Sequence, residues 1–355
     1  MSNQMSLFDN KKIKSTDWKW TMANDYPKEK NGLKVFSCFA CGGGSTMGYK
    51  LAGCEVIGCN EIDKKMNEVY VKNHNPKYNF LMDIREFNQL EDLPEELYNL
   101  DILDGSPPCT TFSMAGDREE SWGVEKKFRE GQVAQTLDDL SFVFIETVAK
   151  LRPKVVIMEN VEGLLLGNAW KYVQQIYKKF KDIGYKVKHW LLKGENMGVP
   201  QTRHRVFFIA TRLDFDLDKL DMAFNYKPIE FGTIKSDGFV EISESVKSLL
   251  EVAKPIDKSL GDINKRVYNK VSRFNEMVVW DNDICPTIHA HGFYKANDKS
   301  KFSELDYIHA QTFPEDYNFN SLGQIAYICG MSVPPIMIKR IVNRLIESRI
   351  LLKEK

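Results

Sequence analysis

Neither sign of charge prevails in this chain: 49 lysines and arginines are matched by 49 aspartates and glutamates over 355 residues. Bulk charge therefore lends no support to a nucleic-acid partner, although a basic face can be offset by acids elsewhere. No apolar run stands out as a membrane span. Residues 1–10 are polar and lack the apolar core of a secretory signal, so the default location is the cytoplasm. Seven cysteines, an odd number unevenly spread, suit reduced thiols better than a disulfide framework. Internal repeats and low-complexity tracts are missing as well.

What is present is ample apolar material, 43% of residues, enough for two domains or one domain with a large insertion. Residues 1–33 are polar and lysine-rich and predict a loosely packed extension. From Lys34 apolar runs alternate with helical periodicity. Strands are expected at 33–39, 55–59, 79–82, 101–103 and 154–158, and helices at 44–51, 63–73 and 134–151. Such alternation predicts an α/β fold with a doubly wound, mostly parallel sheet, whose ligands sit at the carboxyl ends of the strands. Strands at 186–192 and 205–211 are too close for a crossover helix, and should pair antiparallel at the far side of the sheet. Residues 213–320 are more polar and irregular and read as a second, smaller domain. An amphipathic helix over 334–352, within a terminal segment 321–355, completes the chain.

Four segments carry chemistry. In the first, the strand ending Phe39-Ala40-Cys41 runs into Gly42-Gly43-Gly44, a turn that lets a ligand approach the backbone. Acids follow the next two strands: Glu61, with Ile62 and Asp63 behind it, then Asp83 beside Ile84. A carboxylate after the second strand can accept ribose hydroxyls, and one after the third can meet an adenine edge. The glycine spacing is not that of a dinucleotide site, which favours a nucleotide without pyrophosphate. The alternative is a turn that merely packs.

The second segment is Asp101-Ile102-Leu103-Asp104-Gly105-Ser106-Pro107-Pro108-Cys109. Two prolines stiffen the backbone and hold a thiol at the sheet's carboxyl edge, where a thiolate would be a strong nucleophile. The polar stretch 110–131 that follows is too long for an ordinary connection and suggests a mobile lid. Third is Met158-Glu159-Asn160-Val161, whose carboxyl could face the same pocket and act as a proton donor, or simply cap the next helix. Fourth is Gln201-Thr202-Arg203-His204-Arg205, where alternating arginines on one side of a strand suit an oxygen-rich ligand or a solvated edge.

In this order the segments resemble the blocks of the bacterial, S-adenosylmethionine-dependent C5-cytosine DNA methyltransferases, from about Lys34 to Arg212 and again from about Pro286 to the C-terminus. Phe313-Pro314-Glu315-Asp316-Tyr317 and Gly330-Met331-Ser332-Val333-Pro334-Pro335 resemble the last two blocks. The resemblance implies a Rossmann-like methyltransferase fold with a target-recognition domain at 213–320. It implies a cofactor site of Phe39, Ala40, Gly43, Gly44, Glu61, Ile62, Asp83, Ile84, Ser332 and Val333, with S-adenosyl-L-methionine as cofactor and no metal. It further implies a catalytic set of Pro108, Cys109, Glu159, Arg203 and Arg205. The chain departs from the family at Cys41, where a glycine is usual, at Ser37, where an acid is frequent, and at Met331, where asparagine is usual.

The implied reaction is methyl transfer to C5 of a cytosine flipped out of double-stranded DNA, through a covalent Cys109 intermediate. A monomer is expected, with a cognate restriction endonuclease as an open partner. A tRNA cytosine-5 methyltransferase and a catalytically silent DNA-binding relative are the rival readings. A nicotinamide oxidoreductase would have no use for Pro108-Cys109. Zinc held by Cys38, Cys41, Cys54 and Cys59 would wreck the glycine turn, and His289 and His291 read as polar residues of the smaller domain.

Overall fold

The computed structural model describes residues 17–108, 140–270, 276–289, 292–320 and 322–351. Seven strands form the central sheet: β1 (Lys34–Cys38), β2 (Glu55–Glu61), β3 (Tyr78–Leu81), β4 (Ile102–Gly105), β5 (Val155–Val161), β6 (Lys186–Lys193) and β8 (His204–Thr211), the short β7 (Gln201–Thr202) standing outside it. Their order is β3-β2-β1-β4-β5-β8-β6. The first five are mutually parallel, and β8 runs antiparallel to both β5 and β6. This is the doubly wound sheet expected from the alternating pattern, including the antiparallel pair at its far side.

Apolar side chains alternate between the two faces of the sheet, as the two-residue period requires. Phe36, Leu103, Val156 and Phe208 belong to one core; Val35, Ile102, Ile157 and Phe207 belong to the other. The first core is closed by α4 (Ile84–Gln89), α5 (Leu140–Leu151) and α6 (Trp170–Asp182). Segment 134–139 of the expected helix lies outside the described residues. Helix α6 was not expected from sequence; Tyr172, Val173, Ile176 and Phe180 form its buried stripe.

The other face is covered by α2 (Gly44–Leu51) and α12 (Pro335–Glu347), while α3 (Lys64–His74) follows β2. Helix α3 starts at Asp63, whose carboxylate accepts from the Lys65 and Met66 amides. Gly48 permits α12 to lie on α2: a β-carbon there would fall 2.5 Å from both the Ile338 Cβ and the Pro335 carbonyl oxygen. By length and composition alone, Gly323–Glu347 is apolar enough to cross a membrane, a test that a buried core helix also passes. In the fold 67% of its most apolar window is buried, and the stretch is two helices, α11 (Leu322–Met331) and α12, parted at Ser332.

Within the expected N-terminal extension, the stretch from Asp17 to Ala23 is anchored to the fold rather than loosely packed. Trp18 and Trp20 are buried; the Trp20 indole donates to the Thr312 carbonyl, and Trp18 meets the His309 ring edge-on at 4.8 Å. The Asp316 carboxylate accepts from the amides of Met22 and Ala23, at the start of the short α1 (Met22–Asp25). Asp17 pairs with Arg340 of α12.

Between β8 and α11 lie α7 (Phe231–Ile234), α8 (Glu244–Glu251), α9 (Leu260–Tyr268), the strands β9 (Met277–Val279), β10 (Cys285–Pro286), β11 (Phe293–Lys295) and β12 (Ser300–Lys301), and α10 (Glu304–Ala310). Leu250, Leu260, Ile263, Val278 and Ala296 form a small core of their own. Phe231, Phe293 and Phe302, by contrast, join the core beneath α2 and α12. Strand β10 pairs with β7, which ties this part to the Gln201–Arg205 arm.

Candidate active site

The glycine turn leaves β1 through two residues in the left-handed region, Phe39 (φ 55°) and Cys41 (φ 45°), and enters α2 through Gly43 (φ 81°). Glycine is required at 43 on two counts: its φ, and the His74 ring, which occupies the place of any β-carbon. Gly44 has no room either, because a β-carbon would overlap the Val333 carbonyl oxygen and sit 2.8 Å from the Ser332 Cβ. The turn's outer carbonyl, Gly42, accepts from the Tyr317 hydroxyl at 2.5 Å and lies 3.4 Å from His74 Nε2. Desolvation pushes His74 down to about 3, so it is a neutral ring behind the turn.

Glu61 ends β2 with 7% exposure. Its carboxylate accepts from the amides of Cys41 (2.7 Å) and Asp63 (2.8 Å) and so bridges the ends of β1 and β2. Burial raises its pKa, and those amides offset part of the shift. Asp83 follows β3 and is engaged locally: it caps α4 through the Arg85 amide and pairs with the Arg85 guanidinium at 3.2 Å. Ile62 is half-buried, whereas the Ile84 side chain is in the core, leaving only its backbone for a ligand. Ala40 is buried and hydrogen-bonded to Asn60, and Phe39 lies 6.3 Å from Phe144.

The expected cofactor residues thus converge on the carboxyl ends of β1, β2 and β3, with Ser332 and Val333 closing the turn from the α11–α12 corner. Ser332 is 4% exposed, and among the described residues its hydroxyl faces only the Cys41 thiol. A buried acid at the end of β2, a cradle without room for side chains and a buried hydroxyl at its rim fit a nucleoside with a polar tail.

The second half of the site sits on β4, β5 and β8. Pro107 and Pro108 extend β4, and the Pro107 carbonyl accepts from the Asn160 side chain at 3.3 Å. Cys109 and the stretch 110–131 lie outside the described residues, as does His291. On β5, Glu159 Oε1 is 2.9 Å from Nε of Arg205 on β8, with side-chain exposures of 12% and 15%. Arg205 also donates to the His204 carbonyl. Arg203 is 2% exposed; it donates to the Gly330 carbonyl at 2.9 Å, and its Nε and Nη1 have no partner among the described residues. His204, between them, meets Glu195 at 2.8 Å and Glu162 at 3.3 Å.

Several residues here escaped the sequence reading. Gln311 donates to the Ser332 carbonyl and accepts from Gln201, which also bonds Ala310 and Ile288. The Gln201–Arg205 arm is thereby fastened to the corner that closes the glycine turn. Asp104 and Tyr49 are buried beneath both halves of the site. Asp104 belongs to the segment from Asp101 to Cys109, and its importance arises only from its register beside Ser37.

A glycine turn after β1, acids after β2 and β3, and a carboxylate–guanidinium pair farther along the same edge define a Rossmann-like methyltransferase fold. Residues 33–304 match the C-5 cytosine-specific DNA methylase family, and the chain belongs to it. It is 33% identical over 192 residues to the Type II methyltransferase M.FnuDI of Fusobacterium nucleatum, covering 54% of this chain and 51% of that one. It is 27% identical to M.Sau96I of Staphylococcus aureus, covering 90% and 77%. The match to M.FnuDI, like that to M.NgoPII of Neisseria gonorrhoeae (53%), spans about half the relative's length. In fold the chain is similar to Spodoptera frugiperda DNMT2 (TM-score 0.61, 17% identity, 89% of this chain and 100% of that one). It is likewise similar to the Entamoeba histolytica methyltransferase EhMeth (TM-score 0.58, 15% identity, 90% and 99%).

Proposed function

We propose that this chain is a DNA (cytosine-5-)-methyltransferase that methylates a cytosine flipped out of double-stranded DNA, with Cys109 as covalent nucleophile. The observation that carries the reading is the Glu159–Arg205 pair, on the strands beside the one that delivers the Pro107-Pro108 arm. The six described cysteines are no rivals to Cys109. Burial raises the thiol of each, to about 12 for Cys41 and Cys59 and about 11 for Cys54, and further for Cys38, Cys285 and Cys329.

Cytosine C5 is a weak nucleophile. The Cys109 thiolate adds to C6, forming the C–S bond and moving the ring's electron pair towards C5 and the N3–O2 edge. The Glu159 carboxyl meets N3 and shares a proton with it as charge builds on the ring, returning that proton when the ring is restored, and Arg205 stabilises charge at O2. Bound S-adenosyl-L-methionine supplies the electrophilic methyl group for C5. Loss of the C5 proton to a base then drives elimination of Cys109 and restores the aromatic ring. Arg203, held in the core, fixes the strand end from which Arg205 projects.

For the cofactor, Glu61 would meet the ribose hydroxyls and Asp83 the adenine edge. The turn from Phe39 to Gly44, with Ser332 and Val333, would cradle the methionine moiety. We assign residues 34–212 and the returning segment 321–355 to catalysis, and 213–320 to target recognition. The enzyme would act as a cytoplasmic monomer, since one chain supplies every named group. A cognate restriction endonuclease is the partner that the Type II relatives suggest.

The test is methyl transfer from labelled S-adenosylmethionine to unmethylated DNA, wild type beside Cys109→Ala, with transfer RNA in parallel. We expect 5-methylcytosine in DNA, abolished by the substitution. Label in RNA alone would move the enzyme to the RNA branch. No label in either, with the cofactor bound, would make it a silent relative.

A further inference from the structure

Asp104 is a charged residue type in a place where a strand would ordinarily carry an apolar one. It lies in β4 with 2% exposure, on the sheet face covered by α2, and the reaction above does not use it. One carboxylate oxygen accepts from the Ser37 hydroxyl of β1 at 2.7 Å, the other from the Tyr49 hydroxyl of α2 at 2.9 Å. Among the described residues no cation pairs with it. A buried carboxyl without a countercharge is costly to ionise, and it persists where its hydrogen bonds hold something in place.

We propose that Asp104 is a positioning residue that fastens α2, and with it the glycine turn, to the strand carrying the Pro107-Pro108 arm. Three features meet at this carboxyl. Ser37 and Asp104 are direct partners in the parallel register of β1 and β4, so hydroxyl and carboxyl face each other across one strand spacing. The Ser37 and Tyr49 hydroxyls reach different oxygens of the one carboxyl, so β1 and α2 are held through the same group. Tyr49 is fully buried one turn into α2, so its bond to Asp104 sets how that helix, which opens at Gly44, lies on the sheet.

Asp104 also shares its face with Glu159: it is paired with Ile157 of β5, two residues before Glu159. Burial, with a smaller contribution from the Glu159 charge, pushes the Asp104 carboxyl up to about 7, so a proton is held within this frame near neutral pH. In the protonated form one oxygen still accepts while the other donates to its hydroxyl partner, and no second buried charge arises beneath the active site. The inference rests on the methyltransferase reading for the purpose of the frame, but not for its existence.

The experiment compares wild type, Asp104→Ala, Asp104→Asn and the exchanged pair Ser37→Asp/Asp104→Ser. Two readouts are taken: hydrogen exchange over residues 43–51 in the ligand-free protein, and S-adenosylmethionine affinity by calorimetry. We expect Asp104→Ala to speed exchange in α2 and weaken the cofactor, each by about tenfold, with β5 and β8 unchanged. Asp104→Asn should fall between, and the exchanged pair should recover to within about threefold of wild type. Unaltered exchange in Asp104→Ala overturns the proposal, as does faster exchange spread evenly over the whole sheet. Should Asp104→Ala fail to fold, Asp104→Ser beside the exchanged pair decides: no recovery in the pair refutes the shared role. A wild type that neither binds the cofactor nor methylates DNA would defeat the functional reading, while the exchange comparison still judges Asp104.

Discussion

Arg205 Nε lies 2.9 Å from Glu159 Oε1, linking two adjacent antiparallel strands at the edge where the substrate is proposed to enter. Neither side chain is more than 15% exposed, so each is the other's main compensation for lost water. Arg205→Ala should leave Glu159 without its cation, lowering stability by ~2–4 kcal/mol and the methylation rate by ~100-fold or more. Arg205→Lys should restore part of the stability but little of the rate, because an ammonium does not reproduce the guanidinium geometry. Chemical denaturation and single-turnover methylation separate these effects. Equal rates for the two variants would deny Arg205 a role in the transition state.

The cofactor turn is braced from outside by Tyr317. Replacing it with phenylalanine removes the hydroxyl that reaches the Gly42 carbonyl and leaves a buried acceptor with only the distant His74. We expect a loss of ~1–3 kcal/mol in stability and a several-fold rise in the KM for S-adenosylmethionine, with kcat at saturating cofactor nearly kept. Gly43→Ala should be far worse, because strain at φ 81° and overlap with His74 act together. A Gly43→Ala protein with wild-type cofactor affinity would show that the turn rearranges freely.

His74 also sets a pH dependence. Its folded-state pKa of about 3 lies below the ordinary 6.5, through desolvation and, less so, the charge of Lys50. The rings of Tyr70 and Tyr317 and the Gly42 carbonyl also face it, none of them an anion to stabilise a proton. Between those two values the unfolded chain binds a proton that the fold refuses, so stability falls as pH drops through the window. Going from pH 7 to pH 5 should cost the wild type on the order of 2 kcal/mol through this residue, and His74→Gln should lose that much less. Parallel urea titrations at the two pH values measure the difference. Identical pH slopes would mean that His74 is not kept neutral by the fold.

The same residues show what the sequence could and could not announce. Buried strands such as β5 and β8 are continuous apolar runs, and the turn after β1 and the arm after β4 are marked by glycine and proline, so their places at the sheet edge were readable. Helix α6 was missed although its apolar residues follow the helical period, because charged residues interrupt them in every turn. Asp104, His74, Tyr49 and Gln311 gave no local signal. Each acts on a partner in another element: Asp104 on a residue 67 positions away, His74 on one 32 away. Such roles arise only when the sheet register and the helix docking are fixed. The N-terminal segment misled for the opposite reason. Its polar composition hides two tryptophans that bury themselves on the block around Phe313.

Those tryptophans imply that residues 17–26 belong to the folded unit. Trp20→Ala should cost ~3–5 kcal/mol, since it removes a buried ring and the donor to the Thr312 carbonyl. The effect should reach the cofactor, because the amide of Glu315 bonds the Trp20 carbonyl two residues before Tyr317. Differential scanning calorimetry with and without S-adenosylmethionine tests both parts. A truncation lacking residues 1–26 that keeps wild-type stability would make the segment an ornament.

The approach of α12 to α2 offers the last test. At Gly48 an added methyl would meet obstacles of two kinds: the Ile338 Cγ2, which can be trimmed, and the Ile338 Cβ and Pro335 carbonyl, which alanine at 338 leaves in place. Gly48→Ala alone should therefore destabilise by ~1–3 kcal/mol despite the better helix propensity of alanine. Adding Ile338→Ala should relieve only the Cγ2 contact, while opening a cavity where Ile338 is now 1% exposed. The double variant should thus fall short of full rescue, with a coupling energy smaller than the Gly48→Ala loss. Complete rescue would mean that the side chain alone sets the helix spacing. Because Gly44, one turn earlier, touches the Val333 carbonyl in the same groove, a widened spacing should also loosen the α11–α12 corner from the glycine turn. Cofactor affinity in the Gly48 variants should then decline in step with their stability.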